Sequence, residues 1–176
     1  MHDETPTDAA PTDAALTDAA LDAARSALAR ARDRLDAAGA RDELLATWVT
    51  RRFRSGTFVT VGRGWRLGVL LLGRDGALYA GGPSMRIDTL RHDNHQSNLA
   101  AERRALRAAA LAAGVPAGET LAYDADPITL DDGLTASPGP LVLSPDAVLV
   151  RWNPHATNLV PLGPYLDDRV GLLIGS

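Results

Sequence analysis

The stretch at residues 65–82, WRLGVLLLGRDGALYAGG, constrains the fold of this chain more than any other. Its first part, residues 65–72, is mostly apolar and predicts a largely buried strand. GRDG at residues 73–76 predicts a tight turn, because glycine adopts positive φ without steric cost. Residues 77–81 then return as the partner strand. This predicted hairpin is the firmest element of the β part of the fold.

A narrow apolar seam precedes it in residues 17–38. Apolar residues recur there at alternating three- and four-residue spacing, which predicts a helix that begins at Thr17 or Asp18 as its cap. The seam consists of Leu21, Ala24, Leu28, Ala31, Leu35 and Ala38. We expect this seam either to dock on the domain or to support self-association, and we favour docking because alanine buries little area.

A second helix is predicted from Arg41 or Asp42 to Phe53. Its apolar stripe is formed by Leu44, Leu45, Trp48, Val49 and Phe53. Arginines 51, 52 and 54 then lie at the carboxyl end of the helix, where positive charges interact favourably with the helix dipole.

The remaining elements are shorter. We predict a strand at 57–61, a helix at 98–113, and strands at 120–123, 128–130, 140–143 and 147–152, the last two joined by a hairpin over 144–146. A C-terminal helix is expected from Pro164 to Leu172. The chain is therefore assigned to the α+β class, with a disordered acidic tail at 1–15, an Ala-rich helix at 16–39 and a single domain at 40–176.

Composition excludes several kinds of chemistry. The chain has no cysteine, and all 18 of its basic Lys and Arg positions are arginine. Disulfides, thiol nucleophiles, cysteinate metal sites, and Schiff-base or P-loop lysines are therefore excluded. The abundance of alanine, arginine, glycine and aspartate is typical of a bacterium with a GC-rich genome.

Charge is unevenly distributed along the chain, although the net charge is only −4. Residues 1–24 and 115–176 are acidic, whereas residues 25–114 carry sixteen of the arginines. A basic middle between acidic ends indicates either an acidic partner or a C-terminal part that folds back on the middle, and we favour the second. A nucleic-acid partner is disfavoured, because no recognisable binding module accompanies the arginines.

The amino terminus is acidic and lacks an apolar segment of the kind found in secretory signals. The longest apolar run, residues 69–72, is too short to cross a bilayer. We therefore expect a cytoplasmic protein without a membrane partner.

The stretch RHDNHQSNLAAERR at residues 91–104 holds the candidate site. His92, His95 and Glu102 are the candidate catalytic residues, since imidazole and carboxylate groups serve in acid/base catalysis or as metal ligands. The candidate ligand-binding residues are Asp93, Gln96, Asn98 and His155. The alternative is a polar loop followed by a helix cap, with Glu102 in the first helical turn, paired with Arg103 or Arg107. We favour this alternative and assign neither a metal nor a cofactor.

The segment GVLLLGRDGALYAGG, a polar loop and AAERRAL together resemble the core of the cytidine-deaminase-like family over residues 42–123. The resemblance implies a three-layer α/β/α sheet and places Glu102 at the catalytic glutamate. The position of the family's zinc ligand is Ala100, and the second ligand motif needs cysteines that this chain lacks. The resemblance therefore implies the fold without the zinc chemistry.

These observations favour a non-catalytic interaction or regulatory protein, with a protein partner or self-association through residues 17–38. The alternative is a small-molecule enzyme or binding protein whose site centres on residues 92–102. Convergence of His92, His95, Glu102 and His155 on one pocket would favour the second.

Overall fold

The computed structural model describes residues 13–51, 54–88, 98–153 and 158–175. The helices are α1 (Asp13–Ala37), α2 (Asn98–Ala112) and α3 (Leu162–Ile174). The strands are β1 (Glu43–Arg51), β2 (Arg54–Leu67), β3 (Leu70–Gly73), β4 (Leu78–Ala80), β5 (Ser84–Arg86), β6 (Thr120–Tyr123), β7 (Pro127–Ile128), β8 (Leu141–Leu143), β9 (Val148–Val150) and β10 (Val160–Pro161). A 3₁₀ turn, Asp132–Ala136, precedes β8. The chain belongs to the α+β class, as predicted.

The larger sheet has seven strands in the order β5-β6-β1-β2-β3-β4-β7 and is strongly curled. Residues 81–83 link β4 to β5 across four intervening strands, a distance of about 24 Å in a flat sheet. Such a link spans at most about 15 Å. Residues 124–126 make an equally short crossing from β6 to β7. The two edges of the sheet must therefore approach each other.

All three helices pack on the outer face of this curled sheet. Trp65 and Leu72 face α1 and α3 in the main hydrophobic cluster, to which the small sheet β10-β9-β8 also contributes. Phe58 lies further along the same face, in a second cluster with Ala110 of α2. The three-layer arrangement that the resemblance implied is therefore not formed, because no described helix covers the inner face.

The predicted helix at residues 41–53 was wrong, because residues 43–51 form the central strand β1. This strand pairs antiparallel with β2 and parallel with β6. Leu44 and Trp48 pack in the cluster beneath α2, whereas Leu45 is buried on the inner face. Around Leu45 and Ala46 this strand is buried on both faces, so it lacks a simple two-residue periodicity there and its apolar pattern resembled a helical stripe.

The predicted continuous strand at 65–72 was also wrong, because the chain turns at Gly68. Gly68 has a φ of +65°, which ends β2 at Leu67 and lets β3 return beside it. The Tyr165 hydroxyl closes this turn by donating to the Leu67 carbonyl at 2.9 Å and accepting from the Val69 N–H at 3.0 Å. A Cβ atom on Gly68 would lie 2.2 Å from that hydroxyl.

The N-terminal helix α1 begins at Asp13, before the predicted cap at Thr17 or Asp18. Of the predicted disordered tail at 1–15, residues 13–15 are helical and the rest lie outside the described residues. The seam formed by Leu21, Ala24, Leu28, Ala31 and Leu35 is buried against the domain. Docking is therefore confirmed, and self-association through residues 17–38 would have to use another face of the helix.

Several local predictions are confirmed. The turn at residues 73–76 joins β3 to β4, with Leu72 opposite Leu78, and the turn at 144–146 joins β8 to β9. The predicted helix at 98–113 corresponds to α2, and the C-terminal helix begins two residues before Pro164. Trp152, which follows the apolar strand β9, is 48% exposed.

An ion-pair network around Asp42 connects the start of β1 to its neighbours. The Arg63 guanidinium donates to the Asp42 carboxylate at 2.6 Å and to Glu119 at 3.1 Å, and Arg74 donates to Asp42 at 2.6 Å and to Asp36. Burial alone would raise the pKa of Asp42, but hydrogen bonds from the two arginines outweigh it and hold that pKa below its ordinary value.

The pairing of Arg63 with Glu119 and of Arg34 with Asp167 also brings acids of the C-terminal part onto the basic middle of the chain. The predicted fold-back of the C-terminal part is thus confirmed.

We expect Gly68→Ala to lower the free energy of unfolding by about 2 kcal/mol or more, because the new methyl group needs a left-handed backbone and displaces the Tyr165 hydroxyl. Gly171→Ala in α3, where a Cβ meets nothing within 4 Å, should change it by less than about 1 kcal/mol in the stabilising direction. Urea denaturation of both variants checks this. Equal stability of the Gly68 variant and the wild type would contradict the role of this turn.

Asp42→Asn should lower the free energy of unfolding at neutral pH by about 1–2 kcal/mol, a reduced value because both arginines are partly exposed. The pKa of Asp42 is lowered by folding, so its contribution is complete above the unfolded-state pKa, about 3.8, and is lost as pH falls below it. The difference between the wild type and the variant should therefore shrink on acidification. Asp33→Asn, which affects only an exposed ion pair, is the control.

Candidate functional site

Of the predicted site residues, the structure describes Glu102 fully and Asn98 only in its backbone. Asn98 begins α2, and Glu102 lies beyond the first helical turn with its side chain exposed. Glu102 forms no ion pair with Arg103, Arg107 or any other described residue, so the predicted pairing was wrong. His92, Asp93, His95, Gln96 and His155 lie outside the described residues, and their convergence stays a prediction.

Glu102 lines a cavity among the described residues. This cavity, about 620 Å³ in volume, is a groove between α2 and the β1–β2 hairpin. Its lining consists of Trp48, Gly56, Thr57, Glu102, Ala105, Leu106, Ala108, Ala109 and Ala112. We call it the α2 groove. One wall is thus an alanine-rich helix face, and the other is the part of the hairpin that carries the Trp48 indole.

The hairpin wall belongs to a segment without a third strand among the described residues. β6 pairs with β1 only at residues 44–46, and β3 pairs with β2 only at 64–67. The segment beyond, residues 47–51 and 54–60, is a two-stranded ribbon that we call the distal ribbon. The Asp124 carboxylate takes the place of a neighbouring strand at one position, where it accepts the Trp48 N–H at 2.8 Å.

Trp48 is fixed between two residues of the opposite strand. Its ring meets Phe58 edge-on, with the centroids 4.7 Å apart, and Phe58 meets Tyr123 in the same way. Gly56 lies against the indole, so that an added Cβ would be 2.2 Å from the Trp48 ring. Because Gly56 has no side chain, the half-buried Trp48 indole can lie against the backbone of β2 and form part of the groove wall.

The described lining of the groove offers few groups that take part in catalysis. Glu102 is its single ionisable lining residue, and Thr57 offers the one lining hydroxyl. Neither forms a hydrogen bond with another described side chain that would activate it as a base or a nucleophile. The lining can instead bury apolar groups, and Leu99 adds a side chain that is 57% exposed on the same helix.

The arginines of α2 differ from most other described arginines in their pairing. Outside α2, the arginines that form ion pairs with acids are Arg25, Arg32, Arg34, Arg63, Arg66, Arg74, Arg86 and Arg169. Arg30 and Arg41 form none with a described residue, and Arg151 donates to backbone carbonyls. Within α2, however, Arg103, Arg104 and Arg107 all lack an ion pair to any described residue.

The end of the distal ribbon is rich in arginine in the sequence. Arg51 lies directly opposite Arg54 in the register of β1 and β2. On α2, the Nε atom of Arg107 is buried without a hydrogen-bond partner among the described residues. Among the described side chains, no arginine lines the α2 groove.

Two smaller cavities carry less chemistry. One, about 190 Å³, lies between α1 and the β3–β4 turn, and its arginines, Arg25 and Arg32, are already paired with acids. The other, about 30 Å³, lies on the inner face of the sheet beside Leu45 and Ala122. Within the described parts of the chain, no group of three or more His, Asp or Glu side chains could hold a metal ion.

Two aspartates between β6 and β8 bind the backbone. Asp131 accepts the Gly133 N–H at the start of the 3₁₀ turn, and Asp124 accepts the Trp48 N–H of β1 from a positive φ of 49°. Aspartate is common at such turns because its short side chain can accept a nearby backbone N–H.

Comparison with known proteins found no matching family model, no matching curated protein and no matching solved structure. The resemblance to the cytidine-deaminase-like core therefore stays a prediction. In the described parts of the chain, no helix has the length and apolar character needed to cross a membrane.

Sequence reasoning missed the groove because it placed Trp48 in a helix. The pairing of residues 47–51 with 54–60 brings Gly56 next to the Trp48 indole. No local sequence pattern predicts that contact. The alternation of residues 57–61 was a usable signal, since a strand there needs a partner strand nearby.

We expect Gly56→Ala to displace the Trp48 indole and reshape the groove, because the new methyl group overlaps the ring. In a ¹H–¹⁵N NMR spectrum, the Trp48 indole resonance should shift, while that of Trp65, whose Nε1 donates to the Ala40 carbonyl at 3.0 Å, stays in place. Trp48→Phe assigns the resonance. Gly62→Ala, where a Cβ meets nothing within 4 Å, should leave the Trp48 resonance unchanged. An unmoved Trp48 signal in the Gly56 variant would contradict this geometry.

Proposed function

We propose that this protein is a non-catalytic interaction module that binds an amphipathic segment of a partner protein in the α2 groove. The observation that carries the proposal is the groove itself, a cavity of about 620 Å³ with a nearly apolar lining. Its alanines at 105, 108, 109 and 112 recur at three- and four-residue spacing, which gives a smooth helix face that another segment can approach closely.

The nearly apolar lining of the groove favours binding of a partner over catalysis. Trp48 offers a large, rigid apolar surface, and aromatic anchors of this kind contribute much of the affinity at protein interfaces. Glu102 is exposed and has no described group beside it to share a proton. A partner side chain placed in the groove would bury apolar area against Trp48 and Leu106. It would meet no described pair of a nucleophile and a base.

A small-molecule binding protein with its site around residues 92–102 is the second candidate. One observation favours it: Glu102, a residue of that predicted site, lines a cavity whose volume falls within the range of roughly 300–1,000 Å³ typical of ligand sites. A ligand that raises the melting temperature and shifts the Trp48 indole resonance would support this candidate.

The interaction proposal is tested by selecting peptides from a display library of random 16-residue sequences on the immobilised full chain. We expect enriched peptides that bind the wild type and Ala23→Glu but lose at least about tenfold in affinity for Ala105→Glu, since a charge in the groove would be desolvated without a partner. Both alanines are exposed and helical, but Ala23 lines none of the cavities described above. Failure to enrich any peptide, or equal binding to both variants, would overturn the proposal.

A further inference from the structure

The distal ribbon has two open edges, and only one of them is closed by a side chain. On the β1 side, the Asp124 carboxylate accepts the Trp48 N–H at 2.8 Å and so occupies a backbone donor. On the β2 side, β3 pairs no further along the strand than Gly64. For residues 57–61, which we call the β2 edge, the described part of the chain offers neither a strand nor a side chain that bonds to the backbone on this side.

The sequence of the β2 edge lacks the features that usually protect an exposed strand. Residues 55–62, SGTFVTVG, contain no charged residue and no proline, which natural sheets place on free edges to prevent pairing with another strand. Residues 57–60 pair regularly with β1, and the β-bulge lies at one end of the edge, at Val61. Val59 and Val61 are 44% and 54% exposed. The edge thus combines open backbone groups with exposed apolar side chains.

We propose that the β2 edge pairs with the same edge of a second copy of this chain, antiparallel about a two-fold axis at Val59. An antiparallel arrangement makes a strand edge complementary to itself, because each copy supplies the donors and acceptors that the other needs. This axis places Val59 opposite Val59 and Phe58 opposite Thr60, so that residues on the same face of the sheet meet. The proposal does not depend on the α2 groove or on its ligand.

The charges beside the β2 edge favour a second copy over a charged partner. Arg63, which follows the edge in β2, donates to Asp42 at 2.6 Å and to Glu119 at 3.1 Å, so its charge is already compensated. A matching partner strand has to be extended, uncharged and rich in β-branched residues. The β2 edge of another copy is such a strand.

The small size of this contact predicts a weak dimer. A standard protein interface uses about 20–30 residues per partner, and residues 57–61 with their immediate neighbours provide far fewer. We therefore expect a Kd on the order of 0.1 mM. The dimer would contain one sheet that continues through both copies, with one α2 groove in each copy.

Sedimentation equilibrium of the full chain, from about 5 µM to about 1 mM, should show a monomer–dimer equilibrium. Val59→Lys should raise the Kd by at least about tenfold, because two like charges would lie directly opposite each other at the axis. Val61→Lys tests the same edge at a second exposed position and should also raise the Kd. The Trp65 indole resonance, which reports on the core, should stay in place in each variant.

Val49→Lys is the matched control, because Val49 is an exposed valine of the same ribbon but lies on β1, one strand away from the β2 edge. It should change the Kd by less than about twofold, since its charge is farther from the axis. An equal loss in the Val49 and Val59 variants would overturn the proposal, because association would then use the valine-bearing face rather than the strand edge.

A mixture of ¹³C-labelled and unlabelled chain should give an NOE between the Val59 methyl groups of two copies. A wild type that stays monomeric at about 1 mM would refute the dimer. A dimer that is unaffected by both Val59→Lys and Val61→Lys would place self-association elsewhere and refute the β2 edge. Peptide binding in the α2 groove is measured separately, so either proposal can fail without the other.

Discussion

Two three-residue crossings, residues 81–83 and 124–126, determine how the rest of the molecule is arranged. Because neither can traverse a flat seven-stranded sheet, the sheet curls until Leu45, Leu71 and Ala122 bury one another on its inner face. In the described part of the chain no helix covers that face, and α1, α2 and α3 lie on the outer face. Asp124, within one of these crossings, has a positive φ, and its carboxylate accepts a hydrogen bond from the Trp48 N–H.

The groove follows from a mismatch in strand length. β1 and β2 have nine and fourteen residues, whereas the strands on either side of them have four each. The long hairpin therefore extends beyond its neighbours, and α2 is the described helix that packs over this part. Since α2 carries alanine at most positions facing the ribbon, it covers Trp48 and Phe58 without filling the space beside them. An apolar cavity at this place is thus a consequence of topology combined with small side chains.

The parts of the fold that could be predicted from the sequence are those with local causes. Gly73-Arg74-Asp75-Gly76 and Ser144-Pro145-Asp146 specify their turns by backbone preference alone, and α2 has end signals in Asn98 and Gly114. β1 could not be predicted in this way, because burial on both faces removes its alternation. Gly68 was overlooked within an apolar run, since its positive φ is needed only when Tyr165, nearly a hundred residues away, closes the turn. The Trp48–Gly56 contact likewise forms only when β1 and β2 pair. The groove could therefore not be predicted from local sequence patterns.

The most connected group of charges in the described part of the chain surrounds Asp42. Asp42 accepts hydrogen bonds from Arg63 and Arg74 and thereby joins α1, two strands and a turn. Further ion pairs join Arg66 to Glu43 and Arg34 to Asp167. The lining of the α2 groove lies apart from these ion pairs, since Glu102 is the one charged residue among the described lining residues. The fold thus combines a charged network at the start of β1 with a nearly apolar groove beside the far end of the same strand.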